Sequence, residues 1–248
     1  MAKLARVVGV RRRVVVDGAR FTERGSRRDA TTGERVVVWE ARFPSAEPML
    51  IHPTAARVYP DLVPGAASPV HRLVRSRVRP GTRVLDAACG TGAGTAILMA
   101  CVGPSGAVVA LGDDEESVEF AQRRYPGEHV AFELGGLDTL RGEVEGAFDA
   151  VVAPRPVLSG RDDEATLREL WRVVGPGGIL LVELATGPRP SIETEALVAE
   201  VCGVPIDVAS GPGDGRAALV LTRPQASPVE DDEDDEDPGR GDEWRTRG

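Results

Sequence analysis

The sequence of 248 residues has little lysine, cysteine or aromatic character. Lys3 is the only lysine among 30 basic residues, and aromatic residues make up 4% of the chain. Together with abundant alanine, glycine, valine and proline, this arginine bias is typical of GC-rich coding and is weak evidence for a nucleic-acid partner. Three cysteines, Cys89, Cys101 and Cys202, match neither a disulfide framework nor a zinc site, so we expect a cytoplasmic protein.

Long hydrophobic runs are also missing. No stretch approaches the roughly 20 apolar residues of a membrane-spanning helix, and the arginine-rich start of the chain carries no small-residue cleavage site. We therefore expect neither a membrane span nor a signal peptide. The histidines, His52, His71 and His129, have no carboxylate or cysteine at ligand spacing, so no metal site is predicted. No feature predicts an oligomeric state.

Charge is distributed unevenly along the chain. Residues 1–83 carry 17 basic and 7 acidic side chains, whereas residues 84–248 carry 13 basic and 32 acidic ones. Residues 225–248 include eight consecutive carboxylates at 230–237 and are predicted to form a disordered acidic tail, because these charges repel one another. We expect this tail to fold back over the basic N-terminal arm, since opposite charges on one chain meet at high effective concentration.

The arginines of the N-terminal arm leave two interpretations open. Arg11–Arg13 and Arg27–Arg28 could contact the phosphates of a nucleic acid. Only Phe21 and Trp39 lie near them, too few aromatic side chains for a platform on which bases stack. A structural cap on the main sheet is therefore the favoured interpretation of this arm.

The first 80 residues divide into two regions. Residues 1–50 are predicted to be a small β-rich extension, in which polar stretches separate three valine-rich runs. These runs are Leu4–Val10, Val14–Val16 and Arg35–Phe43. Residues 51–80 contain five prolines and predict a linker with one short helix, which Ser68 would cap and Pro69 would begin.

Residues 81–224 alternate between valine-rich runs and helical patterns, which predicts βαβ units and a parallel sheet with helices on both faces. The predicted strands are Arg83–Ala87, Ala107–Leu111, Val130–Leu134, Phe148–Ala153 and Ile179–Ala185. The predicted helices are Thr95–Val102, Glu115–Arg124, Glu164–Val174 and Ile192–Val201. Two last strands, Pro205–Ala209 and Ala217–Arg223, flank a glycine-rich turn and predict an antiparallel hairpin.

The segment 84–95 carries the sharpest motif, a strand that runs into a glycine-rich turn opening a helix. Glycines let the backbone approach a ligand closely, and the helix start offers N–H groups to a carboxylate or another anion. A dinucleotide fingerprint would need glycine where Thr95 stands. The spacing is GxGxG instead, with Asp86 four residues before the first glycine, which disfavours a nicotinamide oxidoreductase.

With this loop, the chain resembles the class I S-adenosylmethionine-dependent methyltransferases over about residues 68–224. Four further segments agree with the family in order and spacing, and the terminal hairpin matches its last two strands. These segments are 106–111, 117–125, 148–152 and 167–183. The resemblance implies a Rossmann-like α/β fold with a seven-stranded, mostly parallel sheet that ends in an antiparallel hairpin. It implies S-adenosylmethionine as the cofactor.

The resemblance also implies a cofactor site at the ends of the first four strands of this sheet. Asp86 would anchor the methionine end of the cofactor, the loop Ala88–Gly94 would wrap around it, and Leu137 would cover the adenine ring. The predicted cofactor-binding residues are Asp86, Ala88, Cys89, Gly90, Thr91, Gly92, Gly94, Asp113, Gly136, Leu137 and Ala153. His71 and Arg72, on the linker helix, either cover this site or lie on the helix surface.

Two positions depart from the family pattern. The family usually places an acid for the ribose at the end of the second strand, where this chain has Gly112 followed by Asp113. It often places another acid for the adenine after the third strand, where Gly136 stands. The intact loop Asp86–Gly94 favours methyl transfer to a small-molecule or glycan acceptor, which is the first interpretation. The missing acids favour the alternative, a degenerate domain acting as a binding or scaffold module. No catalytic residue is predicted, because Ala153 and Pro154 end the fourth strand without a general base.

Overall fold

A computed structural model describes residues 13–16, 18–28, 33, 35–51, 69–136, 139–154, 163–184, 190–210 and 217–225. These residues form two sheets, five α-helices and one short 3-10 helix at Thr139–Gly142. The predicted strand Leu4–Val10, the linker residues 52–68, Leu137 and the acidic tail from residue 226 lie outside the described residues. The predicted start of the linker at residue 51 is wrong, because Ile51 ends a strand. No helix in the described ranges is long and apolar enough to cross a membrane.

The N-terminal sheet is an antiparallel meander of four strands. They are β1 (Arg13–Val16), β2 (Ala19–Arg28), β3 (Arg35–Arg42) and β4 (Met49–Ile51). The interpretation of residues 19–28 as a polar connection is wrong, because they form the longest strand of this sheet. Strand β2 pairs with β1 and β3 on its two sides, and it buries Ala19 and Phe21 on one face. Pairing and burial outweigh its polar composition.

The large sheet has seven strands. They are β5 (Arg83–Asp86), β6 (Ala107–Gly112), β7 (Val130–Leu134), β8 (Phe148–Ala153), β9 (Val174–Glu183), β10 (Asp207–Ser210) and β11 (Ala217–Thr222). Their order across the sheet is β10-β11-β9-β8-β5-β6-β7. Strands β5 to β9 pair in parallel, whereas β11 pairs antiparallel with both β9 and β10. The predicted seven-stranded sheet with its antiparallel hairpin is confirmed.

Helices cover both faces of the large sheet. They are α1 (Pro69–Arg77), α2 (Ala93–Val102), α3 (Glu115–Arg124), α4 (Asp163–Arg172) and α5 (Ile192–Cys202). Val74 of α1 and Leu98 of α2 belong to the core on one face, and Leu170 of α4 and Val198 of α5 belong to the core on the other. The prediction of a sheet covered on both faces is therefore confirmed.

Helix α3 connects the two sheets. It follows β6 directly and is capped by Asp114, whose carboxylate accepts a hydrogen bond of 2.9 Å from the Ser117 backbone N–H. Its Phe120 packs against Phe21 and Phe43 of the N-terminal sheet, with ring centroids 5.9 and 5.4 Å apart. Apolar burial on this side thus fixes the N-terminal sheet to the helix.

Candidate functional site

The loop that follows β5 lies at the centre of the large sheet. Strand β5 has β8 on one side and β6 on the other, and the helices that leave these strands cover opposite faces. Ligands of open α/β sheets bind at this reversal of strand order, beyond the carboxyl ends of the strands. Ala87 N–H donates to the Val152 carbonyl oxygen and Cys89 N–H to that of Leu111, each at 2.8 Å. The loop is therefore held by both neighbouring strands.

Two glycines shape this loop. Gly90 and Gly92 have φ angles of 52° and 82°, a left-handed conformation that glycine adopts without strain. Gly92 is also packed closely, since a Cβ there would lie 2.9 Å from a ring carbon of Tyr125. Helix α2 starts directly after Gly92 with no side-chain cap. Its first N–H groups are thus left for solvent or a ligand, as an anion site requires.

Asp86 joins the end of β5 to the start of α2. Its side chain is fully buried, its Oδ2 accepts a 2.7 Å hydrogen bond from the Thr95 hydroxyl, and its Oδ1 accepts a longer one of 3.4 Å from Ala88 N–H. The structural role of Thr95 is absent from the sequence prediction. The one sequence feature that could have pointed to this role is that Thr95 stands where a dinucleotide-binding GxGxxG pattern has glycine.

His71 lies inside the site and not on the helix surface, so the surface interpretation is wrong for this residue. It is 5% exposed, and its Nε2 lies 3.7 Å from Asp86 Oδ2. A Cβ on Gly94 would meet the ring at 2.1 Å, so the close approach of α1 to α2 requires glycine there. Neither ring nitrogen has a hydrogen-bond partner in the part of the chain that the structure describes. The side chain of Arg72 lies outside that part.

The other predicted residues lie at the carboxyl ends of neighbouring strands. Asp113 is exposed directly after β6, and Gly136 is half-buried after β7. Ala153 is fully buried at the end of β8. The described residues therefore bring the predicted set to one edge of the sheet, and Leu137 alone falls outside them.

The structure explains why Gly112 departs from the family pattern. Gly112 is buried at the end of β6, where a Cβ would lie 2.6 Å from Val118 Cγ2 and 3.1 Å from Cys89 Sγ. The space that an acidic side chain would need is filled by α3 and by the glycine loop. A side chain at position 112 would therefore have to displace Val118 or Cys89, and Asp113 is the next residue along the chain.

Three side chains that are not among the predicted site residues have shifted pKa values. Burial raises the pKa of the Cys202 thiol on α5 to about 12, and it raises the pKa of Cys101 on α2. Backbone and Ser191 hydrogen bonds at the start of α5 lower the pKa of Glu193. No group of three or more metal-ligating side chains occurs within the described ranges.

Residues 84–178 match the model of a family described as a methyltransferase domain. The resemblance to the class I methyltransferases is confirmed. The matched segment of the methyltransferase fold runs from β5 into β9, so it contains the glycine loop and the ends of four parallel strands. The predicted cofactor is confirmed as that of the matched family, whose members use S-adenosylmethionine.

Curated relatives match part of the chain. A demethylmenaquinone methyltransferase from Lactococcus lactis is 36% identical over 119 residues, which are 47% of each protein. An uncharacterised 37.1 kDa protein of transposon TN4556 from Streptomyces fradiae is 37% identical over 105 residues, 42% of this chain and 30% of that protein. The chain thus spans about half the length of the first relative and less than a third of the second.

Solved structures show the same methyltransferase fold. A methyltransferase from Haloferax volcanii, in complex with the Trm112 activator, has a TM-score of 0.51 and 17% identity, over 63% of this chain and 89% of that one. A Bordetella parapertussis protein has a TM-score of 0.51 and 16% identity, over 74% of this chain and 76% of that one. At these identities the likeness supports the fold alone.

Proposed function

We propose that this protein transfers the methyl group of S-adenosylmethionine to a small-molecule acceptor. The observation that carries the proposal is the loop after β5, in which a buried Asp86 is joined to an uncapped helix start through two left-handed glycines. This loop lies within the segment that matches the methyltransferase family.

The residues present suit this cofactor. The start of α2 offers N–H groups for the carboxylate of the methionine end, and the buried Thr91 hydroxyl has no hydrogen-bond partner among the described residues. Asp113 would take the ribose, and the chain at Gly136 and Leu137 would lie along the adenine. When bound, S-adenosylmethionine supplies an electrophilic methyl group on a sulfonium. The protein's own contribution is to position the methyl and the nucleophile in line.

A quinone-like acceptor is the class that we propose. Several matched relatives are named demethylmenaquinone methyltransferases, which favours a small molecule over a glycan. At the end of β8, buried Ala153 and Pro154 offer no proton acceptor. A quinol loses one proton when it is methylated, so water or a group other than these two residues must accept that proton. The cytoplasmic location stays a prediction.

The degenerate alternative is not supported. It depended on the missing acids at Gly112 and Gly136, yet both positions lie within the segment that matches the family model. The contacts of Gly112 supply a packing reason for its lack of a side chain. Loss of function is therefore not needed to explain this departure.

Calorimetric titration with S-adenosylhomocysteine, the demethylated product, tests the proposal. We expect saturable binding in the micromolar range, about −8 kcal/mol, and we expect Asp86→Asn to weaken it by disturbing the loop. Transfer of a labelled methyl group from S-adenosylmethionine to a demethylated quinol should follow. An absence of heat at millimolar S-adenosylhomocysteine, with the protein folded, would refute the cofactor assignment.

A further inference from the structure

The outward face of the N-terminal sheet concentrates positive charge. Arg20 on β2 pairs directly across the strands with Arg42 on β3, an arrangement that is destabilising when like charges stand unrelieved. Glu40 contacts both Arg24 and Arg42. No ion pair of Arg20 is found within the described ranges. Glu40 therefore neutralises only part of the positive charge of the arginines on this face, and a net positive charge is left.

The same two arginines line a cavity. Its volume is about 340 Å³, and its walls include Phe43, Pro44 and Pro48. The Arg42 side chain is 59% exposed, so its guanidinium is accessible from solvent. Guanidinium groups bind carboxylates in a fork geometry, and apolar walls suit the backbone and β-carbons of a peptide. The chemistry of this cavity fits an acidic peptide.

Such a peptide exists in this chain. Residues 230–237 are eight consecutive carboxylates, and they follow β11 by only a few residues. Strand β11 is separated from β6 by four strand spacings, about 19 Å. The 12 residues from 226 to 237 can span up to about 40 Å when extended, whereas the four residues before the run, 226–229, span only about 14 Å. The later carboxylates of the run therefore have the length to cross this distance toward helix α3 and the sheet that packs on it.

We propose that residues 230–237, here called the acidic run, dock through their later carboxylates on the arginine face formed by Arg20 and Arg42 and compete there with other polyanions. The contact is intramolecular, so a weak interaction per carboxylate is multiplied by a high effective concentration. Because the face is exposed, the contact is screened by salt and weakens as the ionic strength rises. The N-terminal sheet then binds other polyanions only when the acidic run is displaced.

A synthetic peptide of residues 226–248 provides the direct test. It is titrated into the protein truncated after residue 225, which keeps every described element, and into the full chain. We expect saturable binding to the truncated protein at low salt and much weaker binding to the full chain, whose own acidic run occupies the face. The double variant Arg20→Gln/Arg42→Gln should weaken peptide binding to the truncated protein about tenfold.

The controls separate docking from bulk charge. A peptide with asparagine and glutamine at positions 230–237 should not bind. The variant Arg168→Gln, an exposed arginine on α4 that pairs with Glu164, should bind like the parent truncated protein. If both arginine variants weaken binding equally, or if the peptide fails to bind the truncated protein, the docking site is refuted. Thermal unfolding of each variant confirms that it is folded.

Heparin and a short DNA duplex test the competition. The truncated protein should be retained more strongly on heparin at low salt than the full chain, and the difference should disappear with Arg20→Gln/Arg42→Gln. Equal retention of full and truncated chains would refute the covering of this face. DNA bound by the full chain as tightly as by the truncated one would likewise show that the face is open to nucleic acid.

Discussion

The substitution Gly112→Ala tests why this chain lacks the usual acid at the end of β6. A Cβ at this position would lie 2.6 Å from Val118 Cγ2 and 3.1 Å from Cys89 Sγ, both well inside ordinary contact. The φ angle of Gly112 is not in the left-handed region, so alanine suits the backbone and the clash is the main penalty. Overpacking of this kind costs about 1–3 kcal/mol. Alanine also lowers the conformational entropy of the unfolded chain, which stabilises the folded protein by about 0.4–1 kcal/mol.

We therefore expect Gly112→Ala to lower the free energy of unfolding by a net of about 1–2 kcal/mol. The loss should be smaller in a Val118→Ala background, because the shortened side chain removes the closer of the two contacts and leaves only the one with Cys89 Sγ. Urea unfolding of the four proteins of this double-mutant cycle measures the coupling. Gly142→Ala is the matched control, since a Cβ there meets nothing within 4 Å.

An equal loss in both backgrounds would refute the packing explanation of Gly112. A Gly112→Ala protein more stable than the parent would refute it as well. If the explanation holds, Gly112→Asp cannot restore the acid of the family pattern. The added carboxylate would have to displace Val118 or the loop at Cys89, and we expect cofactor affinity to fall and not to rise.

Two further predictions concern the buried hydroxyl of Thr95 and the partly buried thiol of Cys202. Thr95→Val should destabilise the protein by about 1.5–3 kcal/mol, because it removes the hydroxyl that donates to the buried Asp86 carboxylate. Urea unfolding measures this loss, and Thr95→Ser should retain most of the stability. Equal losses of unfolding free energy in the valine and serine variants would contradict this role of the hydroxyl. Cys202 should resist iodoacetamide at pH 8 in the folded protein, because its pKa of about 12 keeps the thiol protonated. Labelling at pH 8 as fast as in urea would refute this protection of the thiol.

The fold was predictable because its signals are local. Valine-rich runs alternate with amphipathic helices at regular spacing, and Glu115–Arg124 was predicted with the bounds that the structure shows. Strand β2 escaped prediction because its register depends on two partner strands that no local pattern reveals. Its buried Ala19 and Phe21 are too few to mark a strand among polar neighbours.

The candidate site was predictable only in part, for a related reason. The glycine loop was predictable from its GxGxG spacing, and it lies between β5 and α2 as the sequence predicted. The position of His71 depends on how α1 meets α2, and the role of Thr95 depends on how α2 meets the end of β5. No single segment of the sequence encodes either contact. Gly112 appeared to be a missing acid, whereas its neighbours Val118 and Cys89 show that the position has no room for one.

The aromatic contact between α3 and the N-terminal sheet limits how this protein can be divided. Phe120 is 2% exposed and packs against Phe21 and Phe43 of that sheet. A cut between the two sheets would leave a phenylalanine bare on the surface of the helix that follows β6, and bare aromatic patches promote self-association. The N-terminal sheet thus shields the helix that follows β6 from solvent. Fragments that begin at residue 69 are poor substitutes for the whole chain in binding studies.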